Sequence, residues 1–344
     1  MEKGKLSSRE RMFKALRGEK TDRLPVLCVN QTATYEQMEK TGAYWPEANF
    51  RAQEMAMLAA GAYSVLGFDA VRVPFCQTIE AEALGCPIKD GGTKNVPSPA
   101  DYPYKPDERP AMPEDYLQRG RIPELIQALK LLKEMVGNEA LVIGGIIGPY
   151  SIAGSLIGVA DLLRNSFRKP HLIEPFMAIG ELAGRLLARE LIKAGADAIC
   201  IEDMMASLDM ISPKIYREIV LPWQKKLLAE LRDIPTIIHI CGKLDDVIED
   251  IAGLGVTAIS VETKVNAPQA IEKLKKFDRP IPLIGGVDAP HTLFSGNVEK
   301  VRAEVSKAIA DGYHMIAPGC SIPPATSVAS LRAMVEQVEA VFNN

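Results

Sequence analysis

The chain has 344 residues and carries 40 basic against 44 acidic side chains, a formal net charge of −4 spread along its length. That balance excludes the basic footprint of a nucleic-acid or anionic-membrane binder. With 47% hydrophobic residues, a chain of this length buries a large core without disulfide staples, so its six irregularly spaced cysteines read as thiols or metal ligands.

The N-terminal segment MEKGKLSSRERMFKAL is charged and amphipathic, and Ser7 and Glu10 have the spacing of a capping box. It predicts a helix and not a secretory leader, so a cytoplasmic protein is expected. Eight short runs rich in branched apolar residues follow: LPVLCV (24–29), AVRVPF (70–75), LVIGGI (141–146), AICIED (198–203), TIIHIC (236–241), AISVE (258–262), IPLIGGV (281–287) and HMIAPGC (314–320). From the third onward each is followed by a helical pattern, as at 171–194, 212–232 and 298–311, and a last helix over 327–341 closes the set. KAGAD (193–197), GLGVT (253–257) and ADGY (310–313) each place a glycine after a helix and ahead of a strand.

Strands apolar on both faces and alternating with helices predict a parallel sheet covered by helices, and eight of them predict a closed ring. The expected fold is therefore α/β, a single (β/α)8 TIM barrel over 1–344 with an N-terminal helical extension. The uncharged stretch Leu141–Ala160 has the length of a membrane span. Its glycines and Pro149 divide it instead into a strand and a helix beginning near Tyr150. Between the second and third strands, about 86–123, lie eight of the 24 prolines, which rules out a helix interior or central strand. This insertion leaves from the catalytic face of a barrel and reads either as a lid or pocket wall, or as a surface excursion without a role.

Within TIIHICG, the period of a strand turns His239 and Cys241 to one face and Ile238 and Ile240 to the other. Two strand residues span about 6.6 Å, which an imidazole and a thiolate can close onto a zinc ion at about 2.0–2.3 Å. Gly242 ends the strand and puts the pair at the C-terminal rim. Cys320 is the expected third ligand, since it ends the eighth run on a turn stiffened by Pro318 and Gly319. His314 begins the same run, about 20 Å of strand away, and cannot share the metal. The plainer reading is a core histidine beside a buried cysteine. Cys28 and Cys76 read as small buried thiols, and Cys200 faces the helices if Asp203 faces inward.

HICG followed by a distant APGC, together with DRLPV (22–26), VNQT (29–32), GGTKN (91–95), QRGRIP (118–123) and KAGAD, resembles the methylcobalamin:coenzyme M methyltransferases of the uroporphyrinogen decarboxylase superfamily over nearly the whole chain. The resemblance implies a catalytic Zn2+ held by His239, Cys241 and Cys320, with the fourth position open to the thiol of coenzyme M. It implies a corrinoid protein as partner, whose methylcobalamin donates the methyl group in methanol- or methylamine-dependent metabolism, and a thiolate that attacks the methyl carbon in line. Glu262 and Asp203 end strands and match acidic positions of the family. Glu262 is expected to occupy or orient the open metal position or to accept the thiol proton, and the alternative for each acid is a rim salt bridge. Arg72, the only arginine inside a predicted strand, reads as an anchor for the sulfonate or as a paired core residue. Rival readings are uroporphyrinogen decarboxylase, which lacks an arginine clamp here because none lies between Arg23 and Arg51, methyl transfer to homocysteine or tetrahydrofolate, and a noncatalytic barrel that docks corrinoid proteins.

Overall fold

The protein is described from a computed structural model over residues 5–295 and 297–343. Seven parallel strands form one sheet in the order β1 (Ala70–Val73), β4 (Leu141–Ile147), β5 (Ala198–Glu202), β6 (Thr236–His239), β7 (Ala258–Ser260), β8 (Leu283–Val287) and β9 (Met315–Pro318). A separate antiparallel hairpin pairs β2 (Ile88–Lys89) with β3 (Ser98–Pro99). Alternate residues of the large sheet serve two cores, as a period of two requires. Ala70, Ile143, Ala198, Ile237 and Met315 point into the ring, while Val71, Val142, Ile199, Ile238 and Ile316 pack under the helices.

The inner core has a stopper. Helix Ser8–Leu16 begins with the capping box formed by Ser7 and Glu10, and its Met12, Ala15 and Leu16 join the inward-facing cluster. Arg9 bonds to Asp197 at 2.7 Å just ahead of β5, so this helix seats under the N-terminal ends of the strands. Active groups are thereby left to the opposite rim. Three left-handed glycines, Gly195, Gly255 and Gly312, end helices ahead of β5, β7 and β9.

The expected first strand is not a ladder strand. Within 24–29 only Val26 makes a parallel bridge, to Ile316 of β9, flanked by hydrogen bonds from Ile316 N–H to Pro25 O (2.9 Å) and from Leu27 N–H to Ile316 O (3.0 Å). On its other side Asp69 does what a strand would do. Its backbone N–H donates to Val26 O at 2.7 Å, and its carboxylate accepts the Val26 N–H at 2.8 Å. Pro25 has no N–H to continue a ladder. The segment thus fills the eighth place in the ring, joined to β9 by a bridge and to the start of β1 by a side-chain clasp. Asp69 is fully buried and also accepts from Arg11 Nη1 at 2.6 Å and Arg23 Nη1 at 2.8 Å, so its charge is matched.

The proline-rich insertion holds the β2–β3 hairpin and a 3-10 turn at Tyr116–Gln118, and ends where helix Ile122–Val136 begins. Leu141–Ala160 resolves into β4 and helices Pro149–Ile157 and Val159–Arg168. Among the described residues no helix is long and apolar enough to cross a membrane.

Two outcomes are expected. Asp69→Asn removes the buried charge that Arg23 and Arg11 share, Arg11 keeping Asp22 at 2.8 Å, and should lower the unfolding free energy by about 3 kcal/mol in urea titrations; a change of a few tenths would mean the clasp is dispensable. Glu80, buried on helix Ile79–Ala83, accepts the Ile147 N–H at 2.7 Å, and burial pushes its carboxyl up to about 7 from the ordinary 4.5. Between those two values the folded chain keeps a proton that the unfolded chain has lost, so stability falls as pH rises through that window. Glu80→Gln should flatten this fall, read as urea midpoints at pH 5 and pH 8; parallel curves for the two proteins would contradict it.

Candidate metal centre

β6 ends at His239, which is fully buried, and the chain continues through Cys241 to Gly242 at φ +76°. A Cβ at Gly242 would lie 2.3 Å from Ser207 Oγ, so a side chain is excluded by space as well as by backbone. In the register of β6 with β7, His239 faces Ser260, and Ser260 Oγ lies 3.0 Å from His239 Nδ1. That contact fixes the ring and turns Nε2 toward Cys241 Sγ at 3.3 Å. Cys320 follows β9 by two residues and brings its Sγ within 3.5 Å of Cys241 Sγ. Gly319 makes this turn possible, since a Cβ there would meet Glu262 Cα at 3.1 Å.

The three donor atoms lie within 4.8 Å of one another, although 78 residues separate the two cysteines. A hydrogen bond from the Cys241 thiol holds Cys320 well below the ordinary thiol range. The same bond pushes Cys241 up, with burial and the nearby charge of Glu262 adding to it. A divalent cation among the three atoms is what allows both sulfurs to be thiolates. Two sulfurs and one imidazole nitrogen are zinc's preferred donors, and tetrahedral bonds of about 2.0–2.3 Å put such donors about 3.6–3.8 Å apart. The contacts of 3.3 and 3.5 Å fit that ion with small adjustment.

The other expected site residues fall differently. Glu262 stays beside the centre, partly exposed, with Lys264 Nζ 3.7 Å from its carboxylate. Asp203 turns away from the mouth. It is fully buried, accepts from the Ser151 N–H and Oγ at 2.8 Å each and from Gln224 Nε2 at 2.9 Å, and burial raises its pKa. Its role is to hold the turn Met204–Ala206 against helix Pro149–Ile157. The inward residues of β5 are Cys200 and, one pleat on, Glu202, so the facing of this strand is the reverse of that expected. Glu202 pairs with Arg72 inside the ring and accepts from Asn30 Nδ2 at 2.9 Å and from Gln77. Arg72 is thus the paired core residue of the two alternatives, neutralised and 1% exposed. A Cβ at Gly145 would come 2.2 Å from its guanidinium, which explains one glycine in the apolar run of β4. Ser260 and Glu202 escaped the sequence reading, although both are polar residues inside apolar strands and the parity of HIC and SVE was available.

A cavity of about 730 Å3 opens beside the centre, and Ser321, next to Cys320, stands in its wall. Trp45, Phe75, Met204 and Met205 supply apolar surface, and Lys89 with 95–99 brings the insertion in as one side, the pocket wall of the two alternatives. Among the described residues no carboxylate lines the cavity and Lys89 is its only lining cation. Trp45 is buried there, and its Nε1 has no hydrogen-bond partner among the described residues.

Residues 7–341 match the family model for uroporphyrinogen decarboxylase (URO-D). The chain is 37% identical over 326 residues to methylcobamide:CoM methyltransferase MtaA of Methanosarcina barkeri, covering 94% of this chain and 95% of that one. It is 38% identical over 332 residues to methylcobamide:CoM methyltransferase MtbA of Methanosarcina acetivorans, covering 95% and 96%. Among solved structures, a methyltransferase from Methanosarcina mazei superposes with a TM-score of 0.92 at 36% identity, covering 98% of this chain and all of that one.

Ser260→Ala should leave the fold intact yet weaken zinc binding about 10- to 100-fold, measured by competition with a chromogenic chelator. Ser260→Thr, which keeps the hydroxyl, should recover most of the loss; equal affinity in all three proteins would show that the hydroxyl does not orient the ring.

Proposed function

The chain belongs to the uroporphyrinogen decarboxylase family, among its methylcobamide:coenzyme M methyltransferases, and on that footing we propose that it moves a methyl group from a methylated corrinoid protein to coenzyme M at a zinc centre held by His239, Cys241 and Cys320. The observation that carries this reading is the convergence of one imidazole nitrogen and two sulfurs at the rim of the ring, beside a cavity. A zinc ion bound there supplies the Lewis acidity that keeps an acceptor thiol in its nucleophilic, deprotonated form.

The rest falls to the chain's own side chains. Two cysteine thiolates and a neutral imidazole match the charge of a dication, so an acceptor sulfur joining them remains electron-rich. Glu262, at the edge of the centre, accepts the proton that the acceptor thiol gives up. Ser260 keeps the imidazole in the tautomer with Nε2 free to coordinate. Coenzyme M is a thiol with a sulfonate tail, and the cavity suits such an anion, with Lys89 and, among the described residues, no carboxylate in its lining. Homocysteine fits less well, because its ammonium group would find no acidic partner in that lining. The corrinoid arrives on a partner protein, which presents the methyl group at the mouth.

The test follows loss of the methyl–cobalt absorption of methylcobalamin with zinc-loaded protein and a panel of thiols. Mercaptoethanesulfonate should outrun homocysteine. Cys320→Ser should lose zinc by elemental analysis and slow transfer at least about 100-fold, more than loss of an outer-shell partner would. Glu262→Gln should keep zinc and slow transfer about 100-fold, as loss of a proton acceptor does. A zinc-free protein that transfers methyl groups equally well, or a zinc protein that methylates no thiol, would end this reading.

A further inference from the structure

We propose that Cys241 and Cys320 form a thiol–disulfide exchange site that reads the oxidised form of the acceptor thiol, a small organic disulfide, and is shielded from it by bound metal. The shielding rests on the zinc reading above; the exchange rests on the cysteines alone. Their sulfurs lie 3.5 Å apart, and a disulfide of about 2.05 Å requires them to close by about 1.5 Å. Both residues sit past the ends of their strands, outside the ladder, and each has a glycine neighbour, Gly242 or Gly319. Rotation of the two side chains about their Cα–Cβ bonds can take up that closure without breaking a strand pairing. They are also the two partly exposed cysteines, whereas Cys28, Cys76, Cys86 and Cys200 are buried.

Access favours Cys320 as the attacking sulfur, because its neighbour Ser321 lines the cavity. Its sulfur bonds to one sulfur of RS–SR and releases RS−. The sulfur of Cys241 then attacks the Cys320 side of the mixed disulfide and releases the second RS−. The two protons of the cysteine thiols end on the two RS− groups. The protein pair is oxidised by two electrons and the organic disulfide is reduced to two thiols, so the balance closes with no other oxidant. The product has lost two of its three metal donors. Methyl transfer would therefore stop when the acceptor pool is oxidised and resume when it is reduced.

The experiment uses full-length protein, stripped of metal with a chelator or loaded with zinc, and exposed to the disulfide of mercaptoethanesulfonate. In the metal-free protein two of the six thiols should disappear, peptide mass spectrometry should find the Cys241–Cys320 crosslink, and a reductant should restore both thiols and zinc uptake. Cys241→Ser should stop at a stable adduct on Cys320. Protein measured to hold one zinc should react at least 10-fold more slowly. Six surviving thiols, modification elsewhere, no adduct in the variant, or no protection by measured zinc would each overturn the proposal. If the protein takes up no zinc at all, the metal reading fails, and the crosslink alone decides the exchange site.

Discussion

Everything at the rim depends on how the ring is closed at Asp69. A buried carboxylate that accepts the Val26 N–H, while its own backbone N–H satisfies the Val26 carbonyl, joins the incomplete eighth position to the start of β1. Arg11 and Arg23 make that burial affordable in charge. With β9 held against the Val26 segment on one side and β8 on the other, Cys320 is delivered to a fixed place above the ring. A metal site whose donors come from β6 and β9 has tolerances of a few tenths of an ångström, so closure and ligand geometry are a single constraint.

Most of the architecture was legible because the signals were periodic. Seven of the eight apolar runs are strands, and the glycine stops at Gly195, Gly255 and Gly312 mark helix ends. The first run, 24–29, was misjudged because apolar content does not show whether backbone groups find ladder partners. Pro25 and the carboxylate of Asp69 decide that, and the second is 43 residues away from Val26. For the site, same-face placement of His239 and Cys241 follows from strand geometry, and the cluster with Cys320 matches it. Asp203 shows the limit. In ICIED two acids adjoin, and parity says that they face opposite ways without saying which faces in. The answer lies in Arg72 and Gly145, which make room for Glu202 inside, and in Ser151 and Gln224, which receive Asp203 outside.

The polar groups of the ring interior fall into two separate sets, an ion pair and a cluster of soft donors. Arg72 and Glu202 cancel each other, with Asn30 and Gln77 completing the carboxylate's bonds. At the rim the two sulfurs and the imidazole nitrogen of His239 form a cluster without a neutralising cation among the described residues of the chain. Glu202 and His239 are register neighbours, so a free carboxylate there would compete for the imidazole or for the ion. Its pairing with Arg72 leaves the nitrogen and sulfurs as the soft donors on offer, which favours zinc over oxygen-seeking ions.

The 78 residues between Cys241 and Cys320 have a consequence for biogenesis. During synthesis His239 and Cys241 emerge well before the strand that brings their third partner, and two donors alone make a weak, exchangeable site. On the proposed zinc reading, tight loading would have to wait until β9 has docked, so metal capture would be a late event that seals an already assembled barrel. If the centre holds zinc as proposed, a chain truncated before the last strand, or misassembled there, would remain metal-poor, and zinc content would report how many copies had finished folding.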